Sequence, residues 1–172
     1  VKRVVKAMNL DEERFPPKQV SWFIAGAKDD GQRPRDVDVR DPNTRKMVEI
    51  WQAYEDQCQR EGVVDFAELM LRTYELMRDN DALREHYQRR FSHILVDEFQ
   101  DTNKLQYKWI RMLAGTNGCV FAVGDDDQSI YAFRGADMRN LLEFENTFPD
   151  ATTVVLEQNY RSTQTILDAA NA

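Results

Sequence analysis

The chain carries two adjacent carboxylates directly after a short apolar run. Residues 94–96 form that run, and Asp97 and Glu98 follow it. The run is typical of a parallel strand covered on both faces, and parallel sheets bind ligands at the carboxyl ends of their strands. One acid there can hold Mg²⁺ while the other takes a proton from an attacking water. The same pair also fits exposed acids that lead into a helix N-capped by Asp101.

Polar groups follow the next apolar run, residues 120–123, in the same way. Gly124 lets the chain turn closely there, and residues 125–127 are three consecutive aspartates. Gln128 comes next, and its uncharged amide can contact both a phosphate oxygen and a water. A solvated acidic turn explains the aspartates equally well, and we favour that interpretation for at least one of them.

Two further clusters combine aromatic rings with arginine. Tyr131, Phe133 and Arg134 can share one surface that suits stacked bases beside a phosphate, although spacing alone favours one ring in the core. Tyr160 and Arg161 follow a third apolar run. A ring at that point can cover an adenine while the guanidinium binds a γ-phosphate.

The elements that must position these residues change in type near residue 90. Before it, apolar residues recur at spacings of three and four, which predicts amphipathic helices. After it, short apolar strands alternate with helices, which predicts a parallel α/β sheet. We therefore predict a helical subdomain over residues 1–90 and an α/β unit over residues 91–172. The predicted helices are 17–30, 47–58, 66–77, 102–113 and 138–148, and the predicted strands are 94–96, 120–123 and 154–156.

Composition excludes several classes of protein. The chain has 172 residues, 42% of them hydrophobic, which is enough for a folded core. It contains no apolar run of membrane-spanning length and no signal-peptide pattern, so we expect a cytoplasmic protein without membrane contact. Cys58 and Cys119 lie far apart, which gives no support to a zinc site or a disulfide. The net charge of −7 argues against binding nucleic acid through bulk charge alone.

Three stretches together resemble motifs II, III and IV of the UvrD/Rep family of superfamily 1 DNA helicases. They are residues 97–101, 123–135 and 158–162. The helical half, including residues 64–69, resembles the family's 1B subdomain, which is inserted in the RecA-like domain 1A. The resemblance covers essentially the whole chain. It implies a fold of the P-loop NTPase type, a partial RecA-like parallel sheet with flanking helices from which the phosphate-loop strand is missing.

The resemblance also implies a role for each residue of the ATP site. Asp97 would coordinate Mg²⁺ and Glu98 would activate the hydrolytic water. Gln128 would sense the γ-phosphate of ATP and link the nucleotide state to the grip on DNA. Tyr160 would stack on adenine, and Arg161 would act as an arginine finger on the γ-phosphate.

Single-stranded and duplex DNA are the partners that the resemblance implies. Tyr131, Phe133 and Arg134 would contact the single strand; many relatives carry Trp at the position of Phe133, and a smaller ring stacks less strongly. The implied activity is ATP-dependent 3′ to 5′ translocation and unwinding in DNA repair and replication, with DNA-repair proteins as possible further partners.

The chain contains no Gly-x-x-x-x-Gly-Lys-Ser/Thr sequence. We therefore expect an internal piece of a larger helicase that does not turn over ATP by itself. Without the phosphate-loop strand a sheet edge would be exposed, which predicts lower stability or self-association.

Two other functions fit the sequence. One is a RecA-like ATPase that moves something other than DNA. The other is a DNA- or protein-docking module without catalysis, although nearby acids favour an ordinary solvated surface for most of the basic residues that would carry it. Those residues are Arg33, Arg35, Arg40, Arg45, Lys46, Arg89 and Arg90.

Overall fold

The computed structural model describes residues 1–132 and 135–170, and these form two compact units, Val1–Leu142 and Glu143–Ala172. Five helices begin the first unit: α1 (Lys2–Ala7), α2 (Pro17–Asp29), α3 (Pro42–Glu61), α4 (Phe66–Asp79) and α5 (Asp81–Arg90). Strand β1 (His93–Val96), helix α6 (Lys104–Ala114), strand β2 (Cys119–Ala122) and helix α7 (Arg139–Leu142) follow. The second unit contains α8 (Phe144–Thr147) and α9 (Gln164–Ala170).

Local capping sets the ends of the predicted helices in the first half. Pro17 occupies the first turn of α2, where its missing N–H costs nothing. The Asp41 carboxylate caps α3 by accepting from the backbone N–H groups of Asn43 and Thr44, and α3 ends at Gly62 in the left-handed conformation. These signals confirm the three helices predicted before residue 90, whereas α1 and α5 were not assigned bounds from the sequence.

The hydrophobic core of the helical part lies between α1, α2 and α3. Val5, Val20, Ile50 and Trp51 have no exposed surface, and Ile24 is 2% exposed. The Trp51 ring meets that of Phe23 edge to face, with centroids 6.2 Å apart. Packing of the apolar stripes that the periodicity predicts therefore builds this core. No helix of the described residues is long and apolar enough to cross a membrane.

The two strands pair in parallel, with Ile94 opposite Val120 and Val96 opposite Ala122. The crossover between them contains α6, which contacts α2, α4 and α5. The predicted parallel α/β arrangement is thus confirmed for these two strands. The expected burial on both faces is wrong, because Leu95 and Phe121 on the opposite face are 77% and 61% exposed. Described residues cover only the face that carries Ile94.

Residues 154–156 do not form the predicted third strand. They lie in the second unit outside any helix or strand, and all three are at least 74% exposed. A strand needs a hydrogen-bonded neighbour, and none of the described strands pairs with this segment. The apolar run alone therefore does not produce sheet structure.

Two helix predictions after residue 100 also need correction. The helix predicted over 138–148 is two short helices, α7 and α8. The N-cap of α6 is Asn103, not Asp101, because the Asn103 side chain accepts from the backbone N–H of Gln106 at 2.8 Å while the Gln106 side chain accepts from that of Asn103. Asp101 instead ends a single 3₁₀ turn, Phe99–Asp101.

Candidate functional site

The chain turns sharply where β1 ends, and the turn presents Asp97 and Glu98 to solvent. One carboxylate oxygen of Asp97 accepts from the backbone N–H of Glu98 at 3.0 Å. Glu98 itself has φ 52° and ψ 46°, the left-handed region that residues other than glycine rarely adopt. Such a conformation costs about 1–3 kcal/mol and is maintained by surrounding contacts.

One of those contacts is the side chain of Gln100, which is 1% exposed. Its Nε2 donates to Oε2 of Glu98 at 2.8 Å. Its Oε1 accepts from the backbone N–H of Asp125 at 3.1 Å. The buried amide of Gln100 therefore joins the turn after β1 to the turn after β2.

The turn after β2 continues the same series of hydrogen bonds. Oδ2 of Asp125 accepts from Nε2 of Gln128 at 2.5 Å, and its Oδ1 accepts from the backbone N–H of Asp127 at 3.1 Å. Glu98 and Gln128 are thus linked through Gln100 and Asp125. The structure brings together two of the residues that the sequence marks for chemistry, at the carboxyl ends of adjacent parallel strands.

The oxygen atoms at this sheet edge suit a hard divalent cation. Asp97 is exposed immediately after β1. Beyond β2, the carboxylates of Asp125, Asp126 and Asp127 each place one oxygen within 4.8 Å of the others. Carboxylate oxygens are the ligands that Mg²⁺ prefers. Asp97 does not belong to that group of three, and its role at Mg²⁺, which the resemblance implies, stays a prediction.

The segment that follows Gln100 also holds the far end of the loop beyond β2. The backbone carbonyl of Thr102 accepts from the N–H of Asp137 at 3.0 Å and from the buried side-chain amide of Asn140 at 2.9 Å. Asn103 forms an antiparallel bridge with Ala136. The chain from Gln100 to Asn103 thus contacts the loop near both of its ends.

Comparison with known proteins shows the family to which the chain belongs. Residues 1–149 match the UvrD/REP helicase N-terminal domain. The chain belongs to that helicase family. It is 54% identical to DNA helicase II of Escherichia coli over its whole length and 55% identical to DNA helicase II of Haemophilus influenzae over 99% of it. It is 40% identical to the ATP-dependent DNA helicase PcrA of Staphylococcus aureus, again over 99% of the chain.

The chain spans 24% of the length of each of these three relatives. The match extends over both the helical half and the α/β half. The resemblance to UvrD/REP helicases that the sequence motifs indicate is therefore confirmed.

Of the residues that the UvrD/REP resemblance assigns to DNA, Tyr131 lies in the loop between β2 and α7. Tyr131 is half-buried, and its backbone carbonyl accepts from the N–H of Ala136 at 3.3 Å. Phe133 and Arg134 lie outside the described residues. The assignment of these three residues to single-stranded DNA stays a prediction.

The second unit contains Tyr160 and Arg161, the residues expected at the adenine and the γ-phosphate. The Tyr160 ring is 87% exposed, and its hydroxyl donates to the side chain of Gln158 at 3.0 Å. The Asn159 carboxamide oxygen accepts from the backbone N–H groups of Arg161 and Ser162 at 2.8 and 2.9 Å. Both residues are exposed in their unit, and their assignment to the adenine and the γ-phosphate stays a prediction.

A buried ion cluster in the helical half was not foreseen from the sequence. Lys28 on α2 is 1% exposed, and its ammonium lies 2.6 Å from Glu55, 2.9 Å from Asp65 and 2.8 Å from Glu68. Arg33 joins the same cluster through Glu68 at 2.9 Å. The cluster ties α2, α3 and α4 together.

The electrostatics of this cluster favour its charged forms. Burial opposes the charge on Glu68, but hydrogen bonds from Lys28, Arg72 and Arg33 outweigh it and lower its pKa. The pKa of Asp65 is lowered in the same way, with hydrogen bonds from Lys28 and from the backbone N–H of Glu68 overcoming burial. Neighbouring Asp29 behaves oppositely, because burial raises its pKa.

The same contacts weaken the idea of a basic docking surface. Arg33 binds Glu68 and Glu75, so its charge is already compensated inside the protein. Other basic residues of the proposed surface also have acidic partners. These ion pairs are Arg40 with Asp38, Lys46 with Glu49, and Arg89 with Glu85.

Gln100 is the functional candidate that the sequence did not single out. It stands between Glu98 and Asp101 in the first motif, but one glutamine in a polar stretch carries no signal of burial. Its two partners are 2 and 25 positions away along the chain. A side chain that satisfies one local and one distant group is recognisable only after the strands are paired.

Proposed function

We propose that this chain supplies part of the ATP-hydrolysing core of a DNA helicase that moves 3′ to 5′ along single-stranded DNA and separates duplex DNA. One observation carries the proposal: Glu98 and Gln128 meet through Gln100 and Asp125 at the carboxyl ends of adjacent parallel strands. In a member of a helicase family, this series of hydrogen bonds would link a proton acceptor to an amide that senses the γ-phosphate.

The residues of the first unit would have distinct tasks at the nucleotide. Asp97 would hold the Mg²⁺ of MgATP, and the bound ion would neutralise charge that develops on the phosphates. Glu98 would orient the attacking water and accept its proton at the carboxylate. Gln128 would hydrogen-bond the γ-phosphate through its amide. Movement of that amide would then change its hydrogen bond to Asp125.

The remaining assigned residues would bind the two substrates. Tyr160 would stack on the adenine and Arg161 would bind the γ-phosphate as an arginine finger. Tyr131, Phe133 and Arg134 would contact single-stranded DNA through stacking and a phosphate contact. A cytoplasmic location, and cooperation with DNA-repair proteins, belong to the same proposal.

A segment exchange tests this function directly. We would replace the matching segment of E. coli DNA helicase II, to which the chain is 54% identical, by this chain and measure ATP hydrolysis with and without single-stranded DNA. The proposal predicts DNA-stimulated hydrolysis and unwinding of a duplex with a 3′ single-stranded tail. A folded exchange protein that binds ATP but shows neither activity would contradict it.

A further inference from the structure

Gln100 occupies an unusual environment for a residue beside an exposed site. Its neighbours Asp97 and Glu98 are exposed, whereas Gln100 is 1% exposed. Burying an amide costs free energy unless its donor and its acceptor are both satisfied. Both are satisfied here, by Glu98 at 2.8 Å and by Asp125 at 3.1 Å.

The two partners of Gln100 belong to the two turns that carry the candidate site residues Glu98 and Gln128. Glu98 is held in the left-handed region, so its placement depends on contacts from outside its own backbone. Asp125 begins the turn after β2. Its backbone N–H binds Gln100, and its side chain accepts a hydrogen bond from Gln128 at 2.5 Å. Displacement of either partner would change the geometry available to Gln100.

The turn after β2 approaches the buried amide of Gln100 closely. A Cβ atom at Gly124 would lie 2.8 Å from Oε1 of Gln100 and 3.4 Å from its backbone nitrogen. The glycine thus allows the turn after β2 to approach the amide closely. Buried side chains in close-packed surroundings have few alternative rotamers, so we expect a shift on one side of this amide to be passed to the other.

We propose that Gln100 is a positioning residue that couples Glu98 to the turn carrying Gln128. Its amide makes the placement of the carboxylate depend on the placement of the turn, and the reverse. The coupling itself is a property of the described residues, and its meaning for ATP hydrolysis rests on the proposed function. An ordinary structural glutamine would stabilise both turns but would not transmit a change from one to the other.

The coupling can be measured in the chain itself by nuclear magnetic resonance, without nucleotide or DNA. Glu98→Ala removes the acceptor of the Gln100 amide at an exposed position. We expect this substitution to shift the backbone N–H resonance of Asp125 and the side-chain amide resonance of Gln128. We also expect faster hydrogen exchange of the Gln100 side-chain amide. Unchanged resonances at both Asp125 and Gln128 would overturn the proposal.

A double-mutant cycle with a substitution at Gln100 tests whether that residue carries the effect. Gln100→Met keeps a similar volume but removes the amide, so Glu98→Ala introduced into it should no longer shift the Gln128 resonance. The same shift in both backgrounds would overturn the coupling role. Gly124→Ala provides an independent route, because it displaces the Gln100 oxygen while leaving both partners intact, and it should also abolish the shift.

These results are separable from the proposed function. Failure of the segment exchange to hydrolyse ATP, with the resonance coupling intact, would overturn the helicase role but not the coupling. Loss of the resonance coupling while the exchange protein still hydrolyses ATP would overturn the coupling role but not the helicase role. In an active exchange protein, Gln100→Met should lower kcat for DNA-stimulated hydrolysis and leave the KM for ATP nearly unchanged; an equal change in both would indicate a general structural role and contradict the proposal.

Discussion

Oε1 of Gln100 lies so close to Gly124 that a Cβ atom at position 124 would come within 2.8 Å of it. The backbone of Gly124 does not have a positive φ, so its conformation alone does not require glycine. Gly124→Ala should therefore act only through the lost space. We expect it to lower the free energy of unfolding by about 1–3 kcal/mol, measured by urea titration, because the buried amide must move.

Gly26 provides the matched control for that substitution. It lies inside α2, and beyond the adjacent residues and backbone of that helix no atom comes within 4 Å of a Cβ built there. Gly26→Ala should raise the free energy of unfolding by about 0.5–1 kcal/mol, since alanine restricts the unfolded chain and favours the helix. Equal effects of the two substitutions would show that the contact between Gln100 and Gly124 has no energetic importance.

Removal of Lys28 should destabilise the helical half strongly. Lys28→Met leaves the buried Glu68 and its neighbours Glu55 and Asp65 without their shared cation. Breaking a buried ion pair in this way costs about 3–5 kcal/mol. Lys46→Met removes an exposed partner of Glu49 and should change stability little. Thermal and urea unfolding of both variants compares them; a small effect of Lys28→Met would show that the cluster does not stabilise the fold.

Acid should weaken the same cluster. The pKa of Glu68 is lower in the folded protein than in the unfolded chain, so its contribution is present above about pH 4.3, the unfolded value, and is lost as pH falls through the folded pKa. Glu68→Gln should flatten the rise of stability with pH in the acidic range below about pH 4.3, the unfolded value. Asp29→Asn should steepen it, because a raised pKa costs stability as pH increases. Urea titrations across this range measure both slopes, and slopes that change in the same direction would contradict the assigned pKa directions.

The uncovered face of the sheet should promote self-association. Leu95 and Phe121 lie opposite each other on β1 and β2, and both are exposed. Leu95→Lys should reduce concentration-dependent association in sedimentation velocity experiments by placing charge on that face. Leu76→Lys, on the exposed side of α4, is the control and should have less effect. Association that is insensitive to Leu95→Lys would exclude this face as the contact.

The sequence predicted the parts of the fold that depend on local pattern. Proline and glycine signals located α2, and apolar spacing located α3 and α4. The runs at 94–96 and 120–123 located β1 and β2. It failed where an element depends on distant partners. Residues 154–156 have a strand pattern, but no described strand pairs with them, and they lie exposed outside any strand.

In the candidate site, too, the sequence predicted the local features and missed those that depend on distant partners. The acid pair at Asp97 and Glu98 and the amide at Gln128 were recognisable, because strand ends and residue types are visible in the sequence. Gln100 and Lys28 were not, because their importance comes from burial between elements that are far apart in the chain. Sequence therefore predicted which groups could react, and the structure added what holds them.

Hydrolysis by the Glu98→Gln variant of the exchange protein tests the central claim most directly. The amide keeps the shape of the carboxylate but cannot accept the proton of the attacking water. We predict that ATP binding is retained while DNA-stimulated hydrolysis falls about 10²- to 10⁴-fold, with Glu49→Gln on the exposed surface of α3 as an active control. Hydrolysis by Glu98→Gln at the rate of the unsubstituted protein would contradict the role of Glu98 at the ATP site.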